Sequence, residues 1–248
     1  MPFHYSLKNS EKLHINVQLF AEIYGLFTSE RRLAMMGELN WDERELGMSS
    51  LLESTRNSRY LCGGQIPSMR YIRSDVPAEL TENDICWLAD NGFDTVIDLR
   101  SPEEASQKPC PLQSLAQFRY FAMPVTGGNA IPDTPDEVPE SYLRMLDAQM
   151  QAILELAETA PHRVLFFCNA GKDRTGVVSA LLLLRAGASD AEIIEDYVLS
   201  ADNLREMLEA YAKQVPTVDV EVITPKAEYM ERFLRSVRKL GIQSRLDF

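Results

Sequence analysis

Val164-Leu165-Phe166-Phe167-Cys168-Asn169-Ala170-Gly171-Lys172-Asp173-Arg174-Thr175-Gly176 is the stretch from which the fold is read. Its opening residues are wholly apolar, the pattern of a parallel strand buried on both faces. Residues 177–186 follow with strong helical character and are stopped by Gly187. Between strand and helix lies a turn that carries a cysteine, glycines, a lysine and an arginine. Such a strand–turn–helix unit aims the first N–H groups of the helix at the turn and creates an anion site. Cys168 therefore sits where the oxygens of a phosphate would be held, and where the helix dipole favours a thiolate.

The spacing from Cys168 to Arg174 lets the loop wrap a tetrahedral oxyanion. Cys168 would lie below the phosphorus, with the planar fork of Arg174 on two equatorial oxygens. Asn169, Ala170, Gly171, Lys172, Asp173, Arg174 and Thr175 form the phosphate-binding set. Lys172 adds a second positive charge at the rim, and Thr175 can donate its hydroxyl to the sulfur as it leaves.

The run Cys168-Asn169-Ala170-Gly171-Lys172-Asp173-Arg174-Thr175-Gly176 resembles the signature loop of the cysteine-dependent protein tyrosine phosphatase superfamily. Its second half, from Gly171, is similar to the bacterial atypical branch, whose members act on phosphotyrosine, other phosphoresidues or phosphoinositides. A cysteine and an arginine at this spacing are a weak signal alone; the whole run, set between strand and helix, is specific. One departure stands out. The family usually carries a histidine before the cysteine, and here that position is Phe167; the only histidines are His4, His14 and His162. Activation is then left to Arg174, Lys172 and the backbone dipoles. A phosphate-binding relative with weakened turnover is therefore kept as the alternative reading, and a sulfur-transfer or redox protein as a third.

Composition sets the outer bounds. The chain has 248 residues, 45% hydrophobic and 25% charged, which suits one good-sized core with an appendage. A net charge of −12 argues against nucleic-acid partners, which need a basic face. Cys62, Cys86, Cys110 and Cys168 show neither metal-ligand spacing nor a disulfide framework. The first three read as small buried hydrophobes. No metal or cofactor is expected. No apolar run approaches the roughly 20 residues of a membrane helix, and the start lacks a secretory pattern. A cytoplasmic protein is the expectation, with a phosphorylated protein, a phospholipid or a small phosphate ester as substrate.

Outward from the loop, strands alternate with helices, which predicts an α/β fold with a mainly parallel central sheet flanked by helices. Residues 1–50 read as an N-terminal extension of unclear structure, and 51–248 as the phosphatase-like domain. The resemblance starts at Asn57-Ser58-Arg59-Tyr60-Leu61-Cys62-Gly63-Gly64, similar to the family's opening segment, though Tyr60 stands where aspartate is usual. Arg73 either reaches the active site or pairs with a carboxylate. Thr81-Glu82-Asn83-Asp84 and Ser189-Asp190-Ala191-Glu192 are capping boxes. Residues 93–99 and 118–125 read as strands, and 127–139 as a surface loop in which Asp133 and Asp136 are solvated or belong to a lid. Leu143, Leu146, Met150, Ile153 and Ala157 share one helical stripe; residues 200–214 form a further helix, and Thr224-Pro225 opens the last.

The resemblance implies a metal-independent phosphomonoesterase, chiefly a protein-tyrosine phosphatase with phosphoinositide or phosphoserine/threonine activity beside it. Cys168 is its nucleophile and Arg174 its oxyanion clamp. An aspartic acid must protonate the leaving oxygen, and Asp98 and Asp173 are the candidates. Asp98 stands at a strand end, where open α/β sheets gather ligands; it either faces the mouth or pairs with an arginine. Asp173 lies inside the loop among cations that favour its charged form. On that ground Asp98 is preferred.

Overall fold

The computed structural model describes residues 50–128 and 130–241. Apart from Ser50, the expected N-terminal extension lies outside the described residues. Strands β1 (Arg59–Tyr60), β2 (Tyr71–Ser74), β3 (Thr95–Asp98), β4 (Arg119–Ala122) and β5 (Val164–Phe167) form one sheet in the order β1-β2-β5-β3-β4. All neighbours are parallel except β1, which pairs antiparallel to β2 at one edge. Register places Ser74 and Asp98 on either side of Phe167. The carboxyl ends of β2, β5 and β3 thus share one rim, and Cys168 follows directly from its middle.

The apolar run 164–167 divides between two cores by strand periodicity. Val164, Phe166 and Cys168 face one cluster, and Leu165 and Phe167 the other. Helix α1 (Glu82–Asp90) covers the second face with Leu88, starting from the capping box between Thr81 and Asp84. Helix α2 (Pro102–Gln107) follows β3, with Ser101 and Glu104 forming its capping box. Helices α3 (Glu137–Leu143), α4 (Ala148–Thr159), α5 (Arg174–Arg185), α6 (Asp190–Asn203) and α9 (Ala227–Lys239) supply the first core. Between them run α7 (Arg205–Gln214) and the short α8 (Val220–Ile223). The crossovers into β3 and β5 lie on opposite faces of the sheet. The rim at β5 is therefore a switch point of the kind at which α/β sheets bind ligands.

Several boundaries differ from the sequence reading. The stripe from Leu143 to Ala157 is two helices, because Asp147 turns extended and caps α4 by accepting from the Met150 N–H. The helix read over 200–214 breaks at Leu204: α6 runs on through Ser200 and ends at Asn203. Cys110 is buried as expected, and burial first of all pushes its thiol up to about 12. Cys62 and Cys86 are exposed rather than core residues. Trp87 packs as expected, stacked on Phe93 at 5.9 Å between ring centroids. No helix among the described residues is long and apolar enough to cross a membrane.

Candidate active site

The loop between β5 and α5 is held by its carbonyls. Asn169 O accepts from the Val76 N–H at 3.1 Å. Asn57 Nδ2 donates to Ala170 O and Gly171 O, each at 3.0 Å, and Arg73 Nη2 donates to Gly171 O at 2.7 Å. A trans peptide points each C=O opposite to the next N–H. With the carbonyls of 169–171 tied outward, the N–H groups of Ala170, Gly171 and Lys172 turn to the inside of the loop. Gly171 adopts φ +67°, and a Cβ there would lie 2.5 Å from the backbone of Ser74 and Asp75. Only glycine lets the loop lie this close to the end of β2.

Behind these carbonyls is a buried ionic network that the motif did not disclose. Asp196 of α6 receives Arg73 Nη1 on one oxygen and Arg59 Nε on the other, the latter at 3.1 Å. Arg59 also donates to Asn57 Oδ1 and to Ser200 Oγ. Burial, then the neighbouring Arg73, bring the Arg59 pKa down to about 10. Two guanidiniums share the Asp196 carboxylate, and the Asp75 carboxylate, which accepts from the Asn57 N–H, also acts on Arg59. Arg73 answers to both of its readings: it pairs with a carboxylate, Asp196, and it reaches the loop at Gly171 O.

Arg174 opens α5 and is clamped from the side. Its Nη1 and Nη2 reach Glu104 Oε2 and Oε1 at 2.5 and 2.8 Å, a bidentate pair. Burial opposes its charge most, but the Glu104 hydrogen bonds together with the charges of Cys168, Glu104 and Asp173 outweigh it, so its pKa stands above the ordinary value. Glu104 also accepts from Asn169 Nδ2 and from the Ser101 N–H. The capping residue of α2 is thus also the residue that orients Arg174. From the other side, a Cβ on Gly128 would lie 2.6 Å from Arg174 Cγ. The loop after β4 therefore rests its backbone directly on the arginine stem. Thr175 is buried, and its hydroxyl has no hydrogen-bond partner; the bond expected to the sulfur is not made in this structure.

The two candidate acids lie in opposite surroundings. Asp98 is 1% exposed. Its Oδ1 accepts from the Arg100 N–H and Nε at 3.0 and 2.9 Å, and its Oδ2 from Arg100 Nη2 at 2.7 Å and Tyr120 Oη at 2.5 Å. All four acceptor positions of the carboxylate are occupied. Of the two readings of Asp98, the structure shows the pairing with an arginine, Arg100. Arg100 lies in turn over the ring of Phe167, 5.2 Å from its centroid. Asp173 retains 34% side-chain exposure and meets Lys172 Nζ through Oδ2 at 2.5 Å. Its Oδ1 accepts from Tyr142 Oη at 2.7 Å. Asp133 and Asp136 are both exposed, and Asp136 pairs with Arg232 of α9. Cys168, Lys172, Asp173, Arg174 and Thr175 follow one another from the end of β5 into α5, and Asp98 ends β3 on the same rim.

A family model described as the tyrosine phosphatase family matches residues 51–241. A protein of Nostoc commune named tyrosine-protein phosphatase is 34% identical over 149 residues. The alignment takes in 56% of this chain, which spans about half (51%) of that relative's length. A second relative, H16_A0669 of Cupriavidus necator, is 28% identical over 196 residues, 71% of each chain. Among solved structures, P. aeruginosa TpbA aligns with 69% of this chain and 96% of its own at 17% identity and a TM-score of 0.36, too low to carry a fold assignment.

Proposed function

The chain belongs to the tyrosine phosphatase family, and from that premise we propose that it is a metal-independent phosphomonoesterase acting on phosphotyrosine. The observation that carries this reading is that the carbonyls of 169–171 are engaged by Val76, Asn57 and Arg73, which leaves the N–H groups of 170–172 pointing the opposite way, where an anion beside Cys168 would meet them. Cys168 Sγ attacks phosphorus in line. The S–P bond forms as the bond to the leaving oxygen breaks, and that oxygen takes a proton from Asp173. Charge on the equatorial oxygens is met by the inward N–H groups, Lys172 and the Arg174 fork. Water then attacks phosphorus, Asp173 recovers a proton from it, and the sulfur departs as thiolate with Thr175 Oγ1 available to stabilise it.

Asp173 takes the acid's role because its carboxyl opens to solvent at the loop, whereas that of Asp98 is sealed. Lys172, Arg174, Arg59 and Arg73 are brought to the one place where a phosphate must bind, held there by the carboxylates of Asp173, Glu104 and Asp196.

The test is turnover of aryl phosphates in EDTA by the wild type and by Cys168→Ser. The wild type is expected to turn over undiminished by the chelator. The variant is expected to fold, bind orthovanadate and lose at least about 10⁴-fold in kcat, the scale of removing a nucleophile. Vanadate binding without wild-type turnover would point instead to the phosphate-binding relative. A panel of phosphotyrosine, phosphoserine and phosphoinositide then sets the substrate class.

A further inference from the structure

Asp173 is not positioned by its own loop alone. Its Oδ1 lies 2.7 Å from Tyr142 Oη, and Tyr142 Oη lies 2.6 Å from Tyr197 Oη. Each tyrosine is 1% exposed. Their rings meet edge to face at 6.1 Å, and Tyr142 packs in the same way on Phe233. The chain thus joins α3, α6 and α9 to the first residue before α5. Tyr142 follows the surface loop that rests on Arg174 through Gly128, so one segment touches both Arg174 and Asp173.

A tyrosine hydroxyl has a single proton. With a carboxylate on one side, Tyr142 donates to Asp173, and Tyr197 must then donate to Tyr142. Burial, followed by the nearby Asp173, pushes both phenols well above their ordinary range, so both keep their protons as donors.

Building on the assignment of Asp173 as the acid, we propose that Tyr142 is a positioning residue that selects which oxygen of Asp173 carries the transferable proton. Oδ1 is held as an acceptor, so only Oδ2 can take up the transferable proton. In the free protein Oδ2 faces Lys172 Nζ. The substrate, bound as its monoanion, draws that ammonium onto its own oxygens and passes its proton to the freed Oδ2, which then faces the leaving oxygen. When the leaving group departs, the O–H bond at Oδ2 breaks and the leaving oxygen gains the proton. Asp173 is left a carboxylate with Oδ1 still accepting from Tyr142, whose own proton does not move.

The experiment compares kcat/KM, which reports the step that expels the leaving group, for phenyl phosphate and p-nitrophenyl phosphate. Phenolate needs a proton; nitrophenolate leaves without one. Tyr142→Phe deletes one oxygen. It is expected to lower kcat/KM on phenyl phosphate about tenfold, the worth of one hydrogen bond to a charged group, and to affect p-nitrophenyl phosphate far less. Tyr197→Phe removes only the donor to Tyr142; it should give the same pattern at smaller size, and it stands in should Tyr142→Phe not fold. Asp173→Asn, run alongside, separates the two claims. If it shows the leaving-group-selective loss and the tyrosine variants do not, the role of Tyr142 is overturned while the acid assignment survives. If Asp173→Asn slows both substrates equally, the acid assignment falls and the proposal with it. Equal losses on both substrates in the tyrosine variants would mark the chain as merely structural.

Discussion

Two aspartates lie within reach of the same rim and illustrate two uses of a carboxylate. At the end of β3, Asp98 is enclosed by Arg100 and Tyr120, with every lone pair taken. At the start of α5, Asp173 is held through one oxygen by Tyr142 and through the other by the lysine beside it. The first arrangement fixes charge and backbone; the second leaves one oxygen on a partner that a substrate can draw away. Proximity to a nucleophile is therefore a poor guide to an acid. The number of donors already committed to each oxygen separates the two.

The comparison breaks most visibly at Asp98. Asp98→Asn leaves Arg100 buried without its counter-charge, and the expected loss of stability is about 3–5 kcal/mol, the usual result of halving a buried ion pair. Denaturant unfolding measures it. The folded fraction should show no loss that depends on the leaving group. A variant as stable as the wild type would show that the Arg100 clamp contributes little.

A smaller effect is expected next door. Phe167 fills the position where the family usually has histidine, wholly buried among Ile72, Val96 and Leu165 and under the Arg100 guanidinium. Phe167→His exchanges apolar packing for an imidazole whose protonated form the guanidinium opposes. It should cost about 1–3 kcal/mol of stability, the range for an ill-matched buried polar group, and bring no gain in kcat/KM. A clear gain in kcat/KM would mean that the missing histidine does limit this loop.

The contrast also marks what could be read from the sequence. The strand, loop and helix around Cys168 were legible because they are contiguous: an apolar run, a glycine-rich turn and a helical pattern specify one another locally. Both capping boxes, Thr81 with Asp84 and Ser189 with Glu192, were legible for the same reason. The role of Asp98 was not, since it depends on Tyr120 arriving from the next strand. Nor was the support of the loop. Asn57 meets Gly171 and Ser200, and Arg59 meets Asp196, across more than a hundred residues of chain. Asn57 and Arg59 stand in a stretch that resembles the family's opening segment, but nothing near them in sequence says that Asp196 completes the network. Glu104 was visible as a residue after Ser101 and Pro102, yet its second task, orienting Arg174, appears only once α2 meets α5.

The proposed proton donor is the loop aspartate and not the strand-end one. The most direct test is the ratio of kcat/KM for p-nitrophenyl phosphate to that for phenyl phosphate, measured in Asp173→Asn and Asp98→Asn under conditions where both are folded. Asp173→Asn should lower phenyl phosphate turnover roughly 10²–10⁴-fold, the scale of general acid catalysis, so that the ratio rises steeply, while Asp98→Asn leaves the ratio at its wild-type value. A steep rise in Asp98→Asn with none in Asp173→Asn would contradict the account.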